Sequence, residues 1–307
     1  MSMAIDSLKK GFQIWKQAWL TEIIALLVLA IASVFVLIPV GIISVILIIP
    51  FAGQDWSNYT ALEFLAANPM FVIIVLIMGL LMGVIVTIFI GGIQKVAHEY
   101  AQTGSGRFED TIRALIPDII PLTIVGVVMS LIIGIPLIIV NLILSPLTNT
   151  QTQTPPPSGI IDLVTLLQYA NVYDILQMII MTVIIAVFIG PWFLATSKVV
   201  IDGAGPNGII EGWKLYAKKF IPTIIMVVIF GIIFFAILFI FGELGLLTAA
   251  FVPLDVGTPP TTIPTTLPLL LGLSFIIMVL AVVIVFAVIP WGVTAMYAFY
   301  QDIKDKE

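Results

Sequence analysis

His98 is the only histidine of the chain, and cysteine is absent altogether. A metal centre needs clustered histidines, thiolates or carboxylates. Glu99, next to His98, points to another face if this stretch is helical. The lone imidazole therefore reads as a structural or solvated group before it reads as a ligand or a base. No G-x-S-x-G elbow, Walker loop or H-E-x-x-H pair occurs. Neither an enzyme nor a cofactor is expected.

The carboxylates, amides and small residues offer more. Glu22 and Asp118 fall at the starts of two apolar runs. A carboxylate is favourable at a helix N-terminus, which is a sufficient structural reading. Proton coupling is the functional one. Within the apolar runs the notable polar residues are Thr87, Ser130, Asn141, Thr182 and Ser274. Hydroxyls can bond to their own helix backbone, whereas the Asn141 amide needs a neighbouring helix or a substrate. Gly79 and Gly83 form a small-xxx-small pair suited to a close helix contact.

These groups sit in a chain that is 61% hydrophobic and 9% charged, with a mean hydropathy of +1.23. Soluble domains carry roughly a quarter charged residues. This composition predicts an all-α integral membrane protein. Lys9 and Lys10 precede an apolar run, but that run continues to Ile49. It is far longer than a signal peptide's apolar core of ~7–15 residues, so a span is expected.

The organising stretch is Gly208 to Pro222. Ile209, Trp213, Tyr216 and Phe220 recur at helical spacing, and charged residues occupy the other faces. An offset of 101 residues gives Phe108, Ile112, Leu115 and Ile119; a further 100 gives Leu8, Phe12, Trp15 and Trp19. Each stripe runs into an apolar hairpin. The reading is three repeat units, 1–104, 105–204 and 205–307, each an amphipathic interfacial helix followed by two transmembrane helices. The six spans begin near Leu20, Met70, Ile119, Ile175, Ile221 and Leu269. Residues after Pro290-Trp291 read as a tail.

The ends of the even-numbered spans align at steps of 99: Gly91-Gly92-Ile93, Gly190-Pro191-Trp192 and Ile289-Pro290-Trp291. Proline removes a backbone donor and kinks a helix, and paired glycines weaken the same place. These are the expected kink joints.

All 12 Lys and Arg residues lie outside the loops within the hairpins. Those loops carry Asp55, Glu63, Asp162, Asp174, Glu243 and Asp255 instead. By the positive-inside rule both termini and the amphipathic helices are cytoplasmic, in a multi-pass plasma-membrane protein. The hairpins are then parallel repeats, and a pseudo-threefold axis along the membrane normal is the simplest arrangement. Asn58-Tyr59-Thr60 is a glycosylation tripeptide on an outer loop.

Trp15, Lys16, Trp19, Trp213, Lys214, Tyr216, Lys218 and Lys219 are the candidate lipid-headgroup contacts. Simple anchoring is the plainer reading of the same residues. Membrane lipids are the expected partners; a protein partner or homo-oligomer is open, and nucleic acid is not expected.

The signature Gly212 to Ile225, G-W-K-L-Y-x-K-K-F followed by P-x-I-I, resembles the membrane-domain family attached to some glycerophosphodiester phosphodiesterases. That family also includes stand-alone six-span bacterial and archaeal proteins of unknown function. The resemblance implies a helical membrane module linked to lipid or envelope processes. The phosphodiesterase domain is not in this sequence, so no catalytic residue carries over. Mitochondrial carriers also have three two-span units, but their P-x-[DE]-x-x-[KR] motif is missing here.

Two functional expectations follow. One is a non-enzymatic scaffold or accessory subunit engaging a partner or lipids. The other is a transporter or channel for a small or lipid-like molecule along the threefold axis.

Overall fold

The computed structural model describes residues 2–48, 69–105, 113–148, 172–233 and 287–305. Among them there is helix and turn and no strand. The helices are α1 (Ser2–Ile48), α2 (Pro69–Thr103), α3 (Ile119–Thr148), α4 (Val172–Val200), α5 (Gly208–Lys218), α6 (Phe220–Ile233) and α7 (287–304). Short 3₁₀ turns at Ile116–Asp118 and Gly205–Asn207 lead into α3 and α5. Among the described residues, three stretches are long and apolar enough to cross a membrane: Leu76–Thr103, Arg113–Val140 and Ile179–Val200. The pair α5 and α6 is a fourth if counted as one bent span.

The sequence predicts a separate interfacial helix before each odd-numbered span, and the three units differ on this point. In the third, α5 and α6 meet at 97°. Lys219 leaves helical geometry there, at φ −120° and ψ 34°, while its N–H still reaches the carbonyls of Leu215 and Tyr216. Pro222 explains the break. Its ring would clash with the Lys218 carbonyl in a continuous helix, but it costs little in the first turn of a new one. In the first unit the corresponding position is Thr21, and α1 runs unbroken through it for 47 residues. The expected joint near Trp19 is therefore absent. In the second unit, Pro117 lies within the 3₁₀ turn and Pro121 in the first turn of α3, and residues 106–112 lie outside the described set.

The expected tail is the largest correction. Residues 293–300 of α7 are buried in an unbroken run, all around the helix rather than on one face. Phe299 and Tyr300 are among the largest fully buried side chains. They join Ala4, Leu194, Leu215, Tyr216 and Met226 in one apolar cluster, so α1, α4, α5 and α6 all close on α7. Val293 packs with Ile90 and Ile93 of α2. Burying one such side chain contributes about 1.5–3 kcal/mol relative to exposure, which makes α7 the central post of this end. By contrast, Ile31, Ile38, Ile120 and Ile232 are more than half exposed, as a lipid-facing surface requires.

Small residues set the closest helix crossings. A Cβ on Gly11 would overlap the backbone of Ala295, and one on Gly212 would lie 2.6 Å from Ala195 Cα. Gly83 meets Gly126 and Ser130 of α3. Among the described residues its sequence partner Gly79 has no neighbour within 4 Å, so there the small-xxx-small pair contributes one contact, not two.

Candidate functional site

The polar residues converge where α7 meets the ends of α1, α2 and α4. Asp202 is at the centre of the first group. Gly203 follows it in left-handed geometry, φ +66°, which turns the chain toward α5. Its Oδ2 accepts hydrogen bonds from Tyr300 Oη at 2.5 Å and Lys198 Nζ at 2.9 Å, and its Oδ1 accepts from Lys304 Nζ at 2.8 Å. The Lys198 ammonium also lies 5.7 Å from the centre of the Tyr300 ring. Burial pushes the Asp202 carboxyl up, but the bonds from Lys304, Tyr300 and Lys198 outweigh it and hold the group below its ordinary value.

Around this group the ionic contacts run between the chain's own helices. Lys10 pairs with Asp302 at 3.0 Å, and the Ser7 hydroxyl donates to the same carboxylate at 2.7 Å. Lys95 donates to the Val200 carbonyl at 2.9 Å and lies 3.6 Å from Asp118. Asp118, in the 3₁₀ turn before α3, therefore fits its structural reading. His98 also has a structural setting, with Nδ1 3.1 Å from Tyr297 Oη and Nε2 3.0 Å from the Gln102 amide nitrogen. Burial raises the Tyr297 phenol to about 12, with Asp305 adding to the effect.

Glu22 is different. It lies in mid-helix on unbroken α1, so the helix-terminus explanation does not apply to it. The residue is fully buried; Oε1 accepts a 2.8 Å hydrogen bond from Thr294, and Oε2 has no partner among the described residues. Its flanking positions Ala18 and Ala25 pack on Val96 of α2. Gln94 of α2 is also fully buried, its amide nitrogen 3.5 Å from the Phe193 carbonyl and its Oε1 without a partner among the described residues.

The candidate headgroup residues divide by exposure. Lys16, Lys214 and Lys218 are exposed, Trp19 is 47% exposed, and Lys219 is half-buried at the bend. Trp213 packs edge-on against Phe188 and Tyr216. Tyr216 itself is 4% exposed and belongs to the core. Trp15 is half-buried beside Phe12, with its indole N–H unpartnered among the described residues.

The expected kink joints lie inside helices. Gly91 abuts Leu122 and Val200, Gly92 and Pro191 are buried, and α4 continues through Pro191. Trp192 donates to Thr87 Oγ1 at 2.8 Å, while Thr87 donates to the Gly83 carbonyl at 2.7 Å. Pro290 is buried, and Trp291 packs between Phe230 and Phe12. Ser130 bonds to its own helix at the Gly126 carbonyl. Asp174, expected in a loop, lies in the first turn of α4, and its side chain and that of Asn141, together with Ser274, Asn58, Asp55, Glu63, Asp162, Glu243 and Asp255, lie outside the described residues.

Sequence reasoning passed over Thr294, Tyr297, Tyr300 and Asp202. The signal was present. Thr294, Tyr297, Tyr300 and Lys304 repeat at helical spacing, a polar stripe in a stretch that otherwise reads as a tail. No family model, curated protein or solved structure matches the chain.

Proposed function

We propose that this protein is a non-enzymatic six-span membrane scaffold or accessory subunit that holds a partner protein or lipids. The unbroken burial of residues 293–300 carries this reading. A helix filling the centre of the packed end suits a fixed platform better than a conduit. The ion pairs support it, because Lys10, Lys95, Lys198 (through Glu211) and Lys304 are used to tie the chain's own elements together.

The wider architecture belongs to the same proposal: three parallel hairpin repeats in the plasma membrane, with both termini cytoplasmic. The sidedness of the basic residues supports that orientation. Gln94 and Phe193 are repeat-equivalent positions, 99 apart, and they meet through a hydrogen bond. Equivalent residues touch only close to a symmetry axis, which supports the pseudo-threefold arrangement. The 97° elbow between α5 and α6 is the geometry of an interfacial helix entering a span. The resemblance to the phosphodiesterase-associated membrane domains is consistent with a lipid or envelope role and is offered as part of this reading.

Native mass spectrometry of protein extracted from its own membranes in mild detergent tests it. A defined partner or stable oligomer is expected. A monomer with a water-filled polar axial cavity and no partner would sink the scaffold.

One observation favours transport as a second reading. Glu22 is a fully buried carboxyl with an open oxygen, and ionisable groups within membrane segments commonly mark substrate or ion paths. Folded protein in liposomes that passes no ion, small solute or lipid would count against it.

A further inference from the structure

Three helices meet at Glu22. On α1 it follows Ala18 by one turn and precedes Ala25 by another, and both alanines press against α2. Its carboxyl reaches α7 through Thr294. The site is dry by composition, since Ala18, Ala25 and Val96 are buried apolar neighbours. A bare carboxylate with one hydrogen bond is not stable in such a setting, because the charge has lost its water and gained one neutral donor.

The ionisable groups of the surrounding elements do not supply the missing charge. On α2, Lys95 is taken by Asp118 and the Val200 carbonyl, His98 by Tyr297 and Gln102, and Tyr100 Oη by Thr21 at 3.0 Å. Glu99 is acidic and cannot supply it. On α1, Lys10 is paired with Asp302, and Lys9 and Lys16 are exposed. On α7, Tyr297 faces His98 and Lys304 binds Asp202. Thr294 is the one partner of Glu22 among the described residues. The Glu22 Oε2 atom, buried and without a donor among the described residues, points to something positive.

We propose that Glu22 and Thr294 form a binding site for a single positive charge, a proton or an alkali-metal ion such as Na⁺, enclosed by α1, α2 and α7. The carboxylate oxygen Oε2 supplies the negative charge, and the Thr294 hydroxyl fixes the carboxyl's orientation. Both ligands share this chemistry, with hard oxygen donors around a monocation. A proton converts Oε2 to a neutral O–H; an alkali ion is held directly by oxygen. The inference goes beyond the scaffold reading. It deepens the transport reading without depending on it, since occupancy and flux are measured separately.

The test uses the full chain in native-like lipid. Infrared difference spectra across pH report the carboxylic-acid C=O band, and dicyclohexylcarbodiimide labelling with peptide mapping reports a protonated carboxyl in apolar surroundings. The expected result is a titrating band that Glu22→Gln removes, and labelling at Glu22 that falls about tenfold per pH unit at the alkaline end. Suppression of both signals by Na⁺ at constant pH and ionic strength identifies an alkali-ion site; insensitivity to Na⁺ and K⁺ identifies a proton site. Thr294→Val is the second variant, expected to shift the band frequency while leaving the titration in place. A carboxylate signal at every pH would overturn the proposal. It would mark an anion served by neutral donors. A C=O band that neither pH nor cations change would overturn it too, as a permanently neutral acid.

Discussion

Tyr300 donates a 2.5 Å hydrogen bond to Asp202, joining the C-terminal helix to the turn that ends α4. Lys198 and Lys304 grip the same carboxylate from opposite sides of the contact. This junction has a defined pH signature. The folded carboxyl titrates below its ordinary value, so its contribution is fully present above the ordinary aspartate range. It is lost as pH falls through the lower folded value. Asp202→Asn should cost about 1.5 kcal/mol at neutral pH, the low end for hydrogen bonds to charged groups. Lys304 is 49% exposed, and solvent screening keeps the effect small. Unfolding midpoints in detergent should fall with acid below about pH 4 in the parent and much less in the variant. Parallel acid curves would remove Asp202 from the explanation.

Gly11 and Gly79 offer a paired test of helix packing. A side chain at Gly11 meets Ala295 backbone, which cannot rotate aside, whereas Gly79 has nothing within 4 Å among the described residues. Gly11→Ala should destabilise by about 1–3 kcal/mol. Gly79→Ala should be neutral or slightly stabilising, since alanine loses less backbone entropy in a helix. Thermal unfolding of the two variants should therefore move in different directions. Equal losses would mean that Gly79 also lies against another surface.

Trp192 and Thr87 form a relay that ends on the α2 backbone. The indole donates to the threonine hydroxyl, which passes its own hydrogen to the Gly83 carbonyl. Thr87→Val keeps the shape and leaves the indole N–H without an acceptor, at a cost of about 1–2 kcal/mol. A double-mutant cycle with Trp192→Phe should return a coupling of about 0.6 kcal/mol, the size common for interhelical bonds in membranes. A coupling of zero would show that the two residues act independently.

What the sequence made legible depended on which forces fixed each element. The third-unit elbow was readable because Pro222 and the stripe of Ile209, Trp213, Tyr216 and Phe220 are local signals. The continuity of α1 depends on the absence of that proline, and the strong resemblance of the stripes concealed it. The central place of α7 was hidden because a buried helix carries apolar residues on every side and shows no face. The Gly79–Gly83 spacing announced a contact, but which glycine met a neighbour was set by the crossing point of α3. Glu22 was read through the expected helix start; once α1 proved continuous, the same carboxylate needed another explanation. Asp118, with an equivalent sequence context, kept its ordinary role because a real turn and Lys95 stand beside it.

The elbow makes a prediction about lipid. On α5 and its cap, Lys214 and Lys219 lie near Ile210, Phe220 and Ile221, which are 57%, 45% and 70% exposed. Apolar side chains beside lysines at a sharp bend suit the boundary between acyl chains and anionic headgroups. Each lysine near such a surface contributes about 1 kcal/mol of attraction. Lys214→Glu with Lys219→Glu should therefore lower the co-purified anionic lipid at least severalfold, counted by native mass spectrometry. The effect should shrink as salt rises, because exposed charges are screened over about 10 Å at 0.1 M. Lys9→Glu, an exposed position on α1, is the control for net charge, at half the charge change of the pair. An equal loss from that control would assign the lipid to bulk electrostatics. An unchanged lipid count in the α5 variant would leave Ile210, Phe220 and Ile221 as a purely apolar anchor.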